Sequence, residues 1–245
     1  MQLRLVLIFL LTGFTACSSQ SSEMSKPSDL MTNENSSDEW IVLFDGSNTD
    51  HWRSYNSDSF PEVGWSVQDD MLVFEPPVTD GAEGGQNLIT KEKYTNFHLQ
   101  LEWRIEEGSN SGILYGVLEQ DGIDIYWSGP EYQILDPDVF EEMNDDTRKR
   151  ITGALYDLVE PNPKNMNPVG EWNETEIIVD GSTLIHRLNS ETILEVERWT
   201  PEWFEMIRNS KFANHNEFGN VREGHIGIQD HGGPVMIRNV RIKEL

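Results

Sequence analysis

Phe97-His98-Leu99-Gln100-Leu101-Glu102-Trp103-Arg104-Ile105 alternates between apolar and polar residues along its whole length. Successive side chains of a strand point to opposite sides, so Phe97, Leu99, Leu101, Trp103 and Ile105 share one face and His98, Gln100, Glu102 and Arg104 the other. One apolar and one polar face read as an antiparallel strand with a single side on a core. The flanking segments follow the same rule. Trp40 to Phe44 is an apolar run stopped by Asp45-Gly46. Trp65 to Gln68 and Met71 to Phe74 flank Asp69-Asp70 as a hairpin. Glu176 to Val179 and Thr183 to Leu188 flank Asp180-Gly181, a pair suited to a tight primed turn. Asn189-Ser190 turns again into Thr192 to Val196, while Gly112 to Leu118, Glu131 to Asp136 and Val235 to Ile242 complete the strands. Helical signals are few. Thr200 caps and Pro201 opens a helix to about Lys211, and residues 138–149 hold a second short stretch. The pattern predicts an all-β, two-sheet antiparallel sandwich or jelly roll with one or two short helices, a closed barrel being the alternative.

Residues 1–16 carry one charge, Arg4, then the apolar run Leu5 to Leu11 and small residues before Cys17. This is the layout of a signal peptide, and the run is too short to span a bilayer as a helix. The only cysteine of the chain follows directly, as the lipid-acceptor cysteine of a bacterial lipoprotein does. Lipidation of Cys17 predicts a membrane-anchored protein of the bacterial cell envelope, on the outer membrane, periplasmic or surface-exposed. It leaves no thiol for a disulfide. Residues 17–39 are rich in Ser, Asn and acidic residues and read as a flexible tether reaching about 25 Å. Residues 40–245 then form one domain, of about 205 residues. The formal net charge of the 245 residues is −25, and one unit more negative without Arg4. Such a surface repels nucleic acid and anionic membranes and favours a neutral ligand.

Near the end of the chain, Gly224-His225-Ile226-Gly227-Ile228-Gln229-Asp230-His231-Gly232-Gly233 places His225, Gly227, Gln229 and His231 on one strand face, with Ile226 and Ile228 on the other. Glu131 and Gln133, from Gly129-Pro130-Glu131-Tyr132-Gln133-Ile134, form a second polar face, and Gln100, Glu102 and Arg104 a third. If the three converge on one groove, they supply the carboxylates, imidazoles and amides needed for acid–base work on a polyol. The plainer readings are a surface ion pair for Glu102 and Arg104 and a sheet-face hydrogen bond for Glu131 and Gln133. Asn110-Ser111-Gly112 reads as turn chemistry or as the mouth of that groove. Tyr156 reads as packing, and Lys211 as a cation closing the helix. Trp52, Trp65, Trp127, Trp172 and Trp203 sit at strand ends and loops, in core or sugar-stacking roles. Asp45 to Asp50 lacks the spacing of a calcium loop and reads as a turn. No zinc spacing, nucleophile elbow, phosphate loop or dinucleotide fingerprint occurs. His and carboxylate side chains could hold a divalent metal, although no spacing demands a cofactor.

Eight motifs in order resemble the 3-keto-disaccharide hydrolase family. They are Trp40-x-x-Leu43-Phe44-Asp45-Gly46, Leu88-Ile89-Thr90-Lys91 leading into Leu101-Glu102-Trp103-Arg104, Asn110-Ser111-Gly112-Ile113, Gly129-Pro130-Glu131-Tyr132-Gln133, Gly153-Ala154-Leu155-Tyr156, Gly170-Glu171-Trp172-Asn173, Ser210-Lys211-Phe212, and His225 to Gly232. The resemblance implies a concanavalin-like jelly-roll sandwich acting on sugars oxidised at C3, as a 3-keto-glucoside 1,2-lyase, a 3-keto-2-hydroxy-glucal hydratase or a net hydrolase. A C3 ketone acidifies the C2 proton. A base removes it, donors stabilise the enolate, and an acid protonates the oxygen leaving C1. On this expectation Glu102 or Glu131 is the base and His231 or His225 the acid. Arg104, Asn110, Gln133, Tyr156, Lys211 and Gln229 hold the neutral keto-sugar. A non-catalytic sugar-binding domain and a two-carboxylate glycosidase built on Glu102 and Glu131 stay open as rivals. The sequence carries no signal for oligomeric state.

Overall fold

The computed structural model describes residues 39–77, 86–140, 144–162 and 165–245. The expected signal peptide, Cys17 and nearly all of the expected tether lie outside the described residues. In chain order the strands are β1 (Ile41–Phe44), β2 (Trp52–Ser54), β3 (Trp65–Gln68), β4 (Met71–Phe74), β5 (Leu88–Thr90), β6 (Phe97–Ile105) and β7 (Asn110–Val117). They continue as β8 (Glu131–Leu135), β9 (Asn173–Asp180), β10 (Thr183–Leu188), β11 (Glu191–Glu197), β12 (His225–Ile228) and β13 (Val235–Glu244), with one α-helix among the described residues, α1 (Pro201–Arg208). All pairings are antiparallel. The larger sheet runs β11-β10-β9-β6-β13-β4-β3, with β1 also on β13, and the smaller runs β2-β5-β12-β7-β8. This is the two-layer jelly-roll sandwich that the alternation predicts.

The core lies between the sheets. Leu99, Leu101 and Trp103 of β6, Ile177 of β9 and Ile237 of β13 meet Ile113 and Tyr115 of β7, Tyr132 and Ile134 of β8, and Ile226 and Ile228 of β12. Inner faces of stacked sheets interdigitate in this way and leave the alternate residues outside. The outer faces therefore point in opposite directions: β6 turns Glu102 and Arg104 to one side of the sandwich, and β8 turns Glu131 and Gln133 to the other.

Turns follow the sequence with small shifts. Leu188 pairs with Glu191, and Asn189 and Ser190 between them both have positive φ, as a type I′ turn requires. Asp180 is itself a ladder residue paired with Thr183, so the loop is Gly181-Ser182, one residue later than expected, with Gly181 at φ +56°. Ser47 N donates to Asp45 Oδ1 and Asp50 N to Asn48 Oδ1, both at 2.9 Å, which makes residues 45–50 a pair of side-chain-closed turns. The Thr200 hydroxyl accepts from Trp203 N at the start of α1. The helix stops at Arg208, three residues early, and Phe212 turns into the core to stack on Phe218 at 3.7 Å. Lys211 is thus carried past the helix end instead of closing it. Residues 137–139 and 147–150 make 3₁₀ turns where a short helix was expected. Of the tryptophans, Trp52, Trp65 and Trp203 are core, while Trp172 lies beneath the guanidinium groups of Arg104 and Arg238.

One polar pair crosses the core. His186 of β10 is fully buried, with Nε2 2.9 Å from the Tyr115 hydroxyl and Nδ1 3.0 Å from the Gly153 carbonyl oxygen. Burial drives its pKa down to about 4. Between that value and the ordinary 6.5 the unfolded chain binds a proton that the folded chain refuses, so stability falls as pH drops through this window. Urea unfolding at pH 4.5 and 7 should show wild type losing up to ~1.4 kcal/mol per pH unit at this site. His186→Gln should be less stable at pH 7 but show a shallower acid loss. Equal acid slopes for the two proteins would refute the assignment.

Candidate active site

The outer face of the smaller sheet opens into a pocket of about 580 Å³. Its floor is built by β7 and β8. Gly112 lies beside Glu131, and a Cβ at position 112 would overlap the Glu131 carboxyl. The glycine is required by this approach, since a strand glycine makes room for a neighbour. Glu131 is only 6 % exposed, and its Oε1 has no hydrogen-bond partner among the described residues. Desolvation pushes its pKa up to about 8, against the opposing pull of the Lys211 charge.

A polar chain runs from the floor to the rim. Gln133 Nε2 donates to Asn110 Oδ1 at 2.8 Å and lies 3.4 Å from the Ile134 carbonyl oxygen. Asn110 Nδ2 is then the donor toward His231 Nδ1, 3.2 Å away. A ring nitrogen that accepts leaves the proton on the other nitrogen, so this network assigns His231 the Nε2–H tautomer. Partial desolvation, and secondarily the Lys211 charge, hold His231 below its usual pKa and keep the imidazole neutral at pH 7. The segment after β12 is docked by Ser111 Oγ, which donates to Gln229 O at 2.7 Å, and by Gln229 N, which donates to Gly112 O at 2.9 Å. Gly232 and Gly233 turn the chain away at φ +73° and +71°. Asp230, on this segment, lines the pocket with a buried Oδ2 lacking a partner among the described residues, and desolvation raises its pKa to about 6. Gln229 Oε1 is likewise buried and unbonded.

The opposite wall is aromatic. Lys211 Nζ sits 4.2 Å from the Tyr156 ring, 5.1 Å from Phe212 and 5.7 Å from Tyr126. Desolvation lowers its pKa, against the nearby charge of Glu131. Tyr156, Tyr126, Trp127 and Asp124 complete this side.

The structure thus brings together Glu131, Gln133, Asn110, Tyr156, Lys211, Gln229 and His231. It does not bring in Glu102, Arg104 or His225. Glu102 and Arg104 project from the larger sheet, on the far side of the core. Glu102 is bound there by Arg238 at 2.6 Å and Asn239 at 2.6 Å, not by Arg104. A paired carboxylate on that face has no route to the pocket, and its assignment as a base is withdrawn. His225 fails for a different reason. The register between β12 and β7 slips between His225 and Gly227, opposite Gly116 at φ +66°, and Ile125 packs over Gly227. This separates His225 from Gln229. The His225 ring instead lies 3.2 Å from the Glu92 carbonyl oxygen and 3.8 Å from the Glu119 carboxylate.

Sequence reasoning missed Asp230, Asp124, Tyr126, Asn87 and the role of Gly112. Asp230 sits out of phase with the His225–Gln229 alternation, just past the strand end. Gly112 did leave a signal, a glycine inside a strand. Among the described residues no group of three His, Cys, Asp or Glu is arranged to hold a metal ion. None of their helices is long and apolar enough to cross a membrane.

A family model for the 3-keto-alpha-glucoside-1,2-lyase-like domain matches residues 39–243. The chain is 36 % identical over 230 residues to a 3-keto-disaccharide hydrolase from Bacteroides thetaiotaomicron, covering 85 % of this chain and 79 % of the relative. Two crystal structures of candidate glycosyl hydrolases from Parabacteroides distasonis share the fold. One has TM-score 0.75 at 28 % identity, covering 88 % of this chain and 98 % of the other. The second has TM-score 0.62 at 26 % identity, covering 84 % and 100 %.

Gly112→Ala should force the Glu131 side chain out of its recess while leaving the sheet folded, because position 112 has no positive φ. The expected result is a loss of activity of about 10²-fold or more with a near-wild-type circular dichroism spectrum. Full activity in the alanine variant would show that the recess is not needed.

Proposed function

The chain belongs to the 3-keto-alpha-glucoside-1,2-lyase-like family of enzymes, and on that premise we propose that it cleaves 3-keto-glycosides, 3-keto-disaccharides among them, by 1,2-elimination followed by hydration. One observation carries this reading above others. The pocket holds a buried carboxyl, Glu131, whose Oε1 has no hydrogen-bond partner among the described residues and whose pKa is pushed up to about 8, so it keeps its proton at neutral pH. Asp230, at about 6, is mostly ionised at the same pH. Two titratable groups with separated pKa values in one pocket divide the acid and base roles.

Asp230 takes the C2 proton, which the C3 ketone has acidified. The electron pair moves into an enolate whose oxygen is met by the Lys211 ammonium and the His231 Nε2–H group, donors placed where charge develops. The enolate then expels the C1 oxygen, and Glu131 supplies its proton. The products are an alcohol and a 3-keto-2-hydroxy-glucal. Water adding at C1, with a proton returned to C2, gives the free 3-keto sugar, so the net change is hydrolysis. This reverses the base role expected of Glu131 from its residue type alone. It also moves His231 from proton acid to hydrogen-bond donor, as a neutral Nε2–H tautomer suits.

Purified protein lacking residues 1–17 tests the reading with 3-keto-glucosides beside their unoxidised parents. Turnover of the keto substrates alone is expected, with kcat/KM highest between about pH 6 and 8. The acid limb reports the Asp230 carboxylate being protonated, and the alkaline limb reports Glu131 losing its proton. Glu131→Gln and Asp230→Asn should each reduce kcat by about 10²-fold or more. Turnover of unoxidised glycosides would instead favour a two-carboxylate glycosidase, and saturable binding without turnover a sugar-binding domain.

We also propose that Cys17 is lipidated and tethers the domain to the envelope membrane, a reading supported by the Leu5 to Cys17 pattern. Cys17→Ser should move the protein from the membrane to the soluble fraction and abolish its labelling by a palmitate probe. Retention on the membrane would overturn it.

A further inference from the structure

Residues 118–128 form a loop whose base is closed by Ser128: Leu118 N donates to Ser128 Oγ at 3.0 Å, and Ser128 Oγ lies 3.3 Å from Leu118 O. The loop is fastened from outside as well. Arg53 on β2 grips Glu119 through both terminal guanidinium nitrogens, at 2.5 and 2.7 Å. Asn56 N donates to Glu119 Oε1 at 2.8 Å, and the Tyr55 hydroxyl lies within hydrogen-bond distance of the carbonyl oxygens of Leu118 and Ile123, at 3.1 and 3.0 Å. His225, excluded from the pocket, packs against the same carboxylate. From the inside, Ile125 anchors the loop over Gly227.

This fastening presents Asp124, Tyr126 and Trp127 to the pocket. The Trp127 indole is fixed by His215, stacked at 3.8 Å with the rings 4° from parallel. Tyr126 lies beside it at 4.8 Å and donates its hydroxyl to Asp124 Oδ2 at 2.7 Å, which leaves the other oxygen of that exposed carboxylate available to hydroxyl groups. A rigid aromatic surface beside a carboxylate acceptor matches the two sides of a pyranose, an apolar ring face and an edge of hydroxyls. The polar groups of the floor, by contrast, converge at Glu131, Asp230 and His231.

We propose that the 118–128 loop is the leaving-group subsite, reading a neutral pyranose attached through C1 of the keto-sugar, with Trp127 as platform and Asp124 as hydroxyl acceptor. Glu119 acts as a positioning residue by holding the loop to β2. The proposal rests on the 3-keto-glycoside reading above and adds the part of the substrate on the other side of the scissile bond. The carboxylate of Asp124 and the acidic chain disfavour an anionic leaving group.

The test compares full kinetics on a 3-keto-disaccharide, phenyl 3-keto-glucoside and methyl 3-keto-glucoside. Wild-type turnover of the methyl compound reports on the reaction itself, and its absence would sink the functional reading and not the subsite. With that turnover in hand, the ratio of kcat/KM between disaccharide and methyl compound reports on the subsite. Trp127→Ala should lower that ratio about tenfold or more, and Asp124→Asn, an exposed change that does not threaten folding, should lower it by several-fold. Glu119→Gln should raise KM for the disaccharide with little change in kcat, as lost ground-state binding does. Ratios unmoved by both pocket variants would overturn the proposal. A phenyl compound turned over better than the disaccharide, with Asp124→Asn silent, would overturn the pyranose assignment.

Discussion

Glu131 occupies space that a side chain at position 112 would fill, and the site depends on that substitution of a carboxyl for a Cβ. A carboxylate moved out of water without a partner is costly, and the cheaper outcome is to keep its proton. The sheet achieves this with a glycine rather than with an apolar cage. The same short stretch of β7 has a second role. Ser111 and Gly112 bind the backbone of Gln229 on both sides, so the strand that makes room for one carboxyl also docks the segment that carries Asp230 and His231. Asn110, one residue earlier, fixes the imidazole tautomer. Three consecutive residues thus connect Glu131, Asp230 and His231, and a shift in β7 would disturb all three together.

The two outer faces of the sandwich carry similar residue types with opposite consequences. On the larger sheet Glu102 and Glu176 are paired. Glu102 meets Arg238, and Glu176 meets His98 at 2.6 Å and Arg187 at 3.0 Å, so hydrogen bonds and cationic partners hold the Glu176 pKa down despite burial. Glu176 therefore has no proton to give at neutral pH. On the smaller sheet Glu131, Asp230 and Gln229 are left with unbonded oxygens. Natural proteins rarely leave buried polar atoms unpaired, and their clustering in one cavity is what distinguishes the reactive face from the structural one.

That distinction explains which parts of the protein were legible in the sequence. Period-two alternation identified the strands and their apolar faces, because burial imposes it locally: Ile226 and Ile228, or Leu99 and Trp103, had to face inward. It could not say which outer face belonged to which sheet. β6 pairs with β9 and β13, far away in the chain, and its polar face looks the same on paper whichever layer it joins. Glu102 was misplaced for that reason. His225 was misplaced by a one-residue slip against β7, which depends on Gly116 adopting a backbone that no side-chain pattern reveals. Lys211 was named among the sugar-holding residues, and only its plainer reading as the cation closing α1 fails, because Phe212 turns into the core and α1 ends early. Asp230 was overlooked because it follows the strand, where alternation no longer assigns a face.

Loop-borne groups are a weakness in a site that must hold protons and donors within a fraction of an ångström. Asp230, His231 and Lys211 sit outside regular elements, Trp127 ends a short 3₁₀ turn (Ile125–Trp127) within its loop, and the chain's only cysteine, Cys17, precedes the domain, so no disulfide stiffens these segments. Each is instead tied down by a neighbour with no chemical role. Phe212 stacks on Phe218 next to Lys211. Ser109 Oγ donates to the Pro234 carbonyl oxygen just beyond His231. Arg53 and Tyr55 hold the segment that carries Trp127. Glu131 Oε1 and Asp230 Oδ2 can remain without a partner among the described residues because the residues next to them are paired or packed. The smaller sheet therefore leaves those oxygens facing the pocket while the anchors beside them fix the backbone.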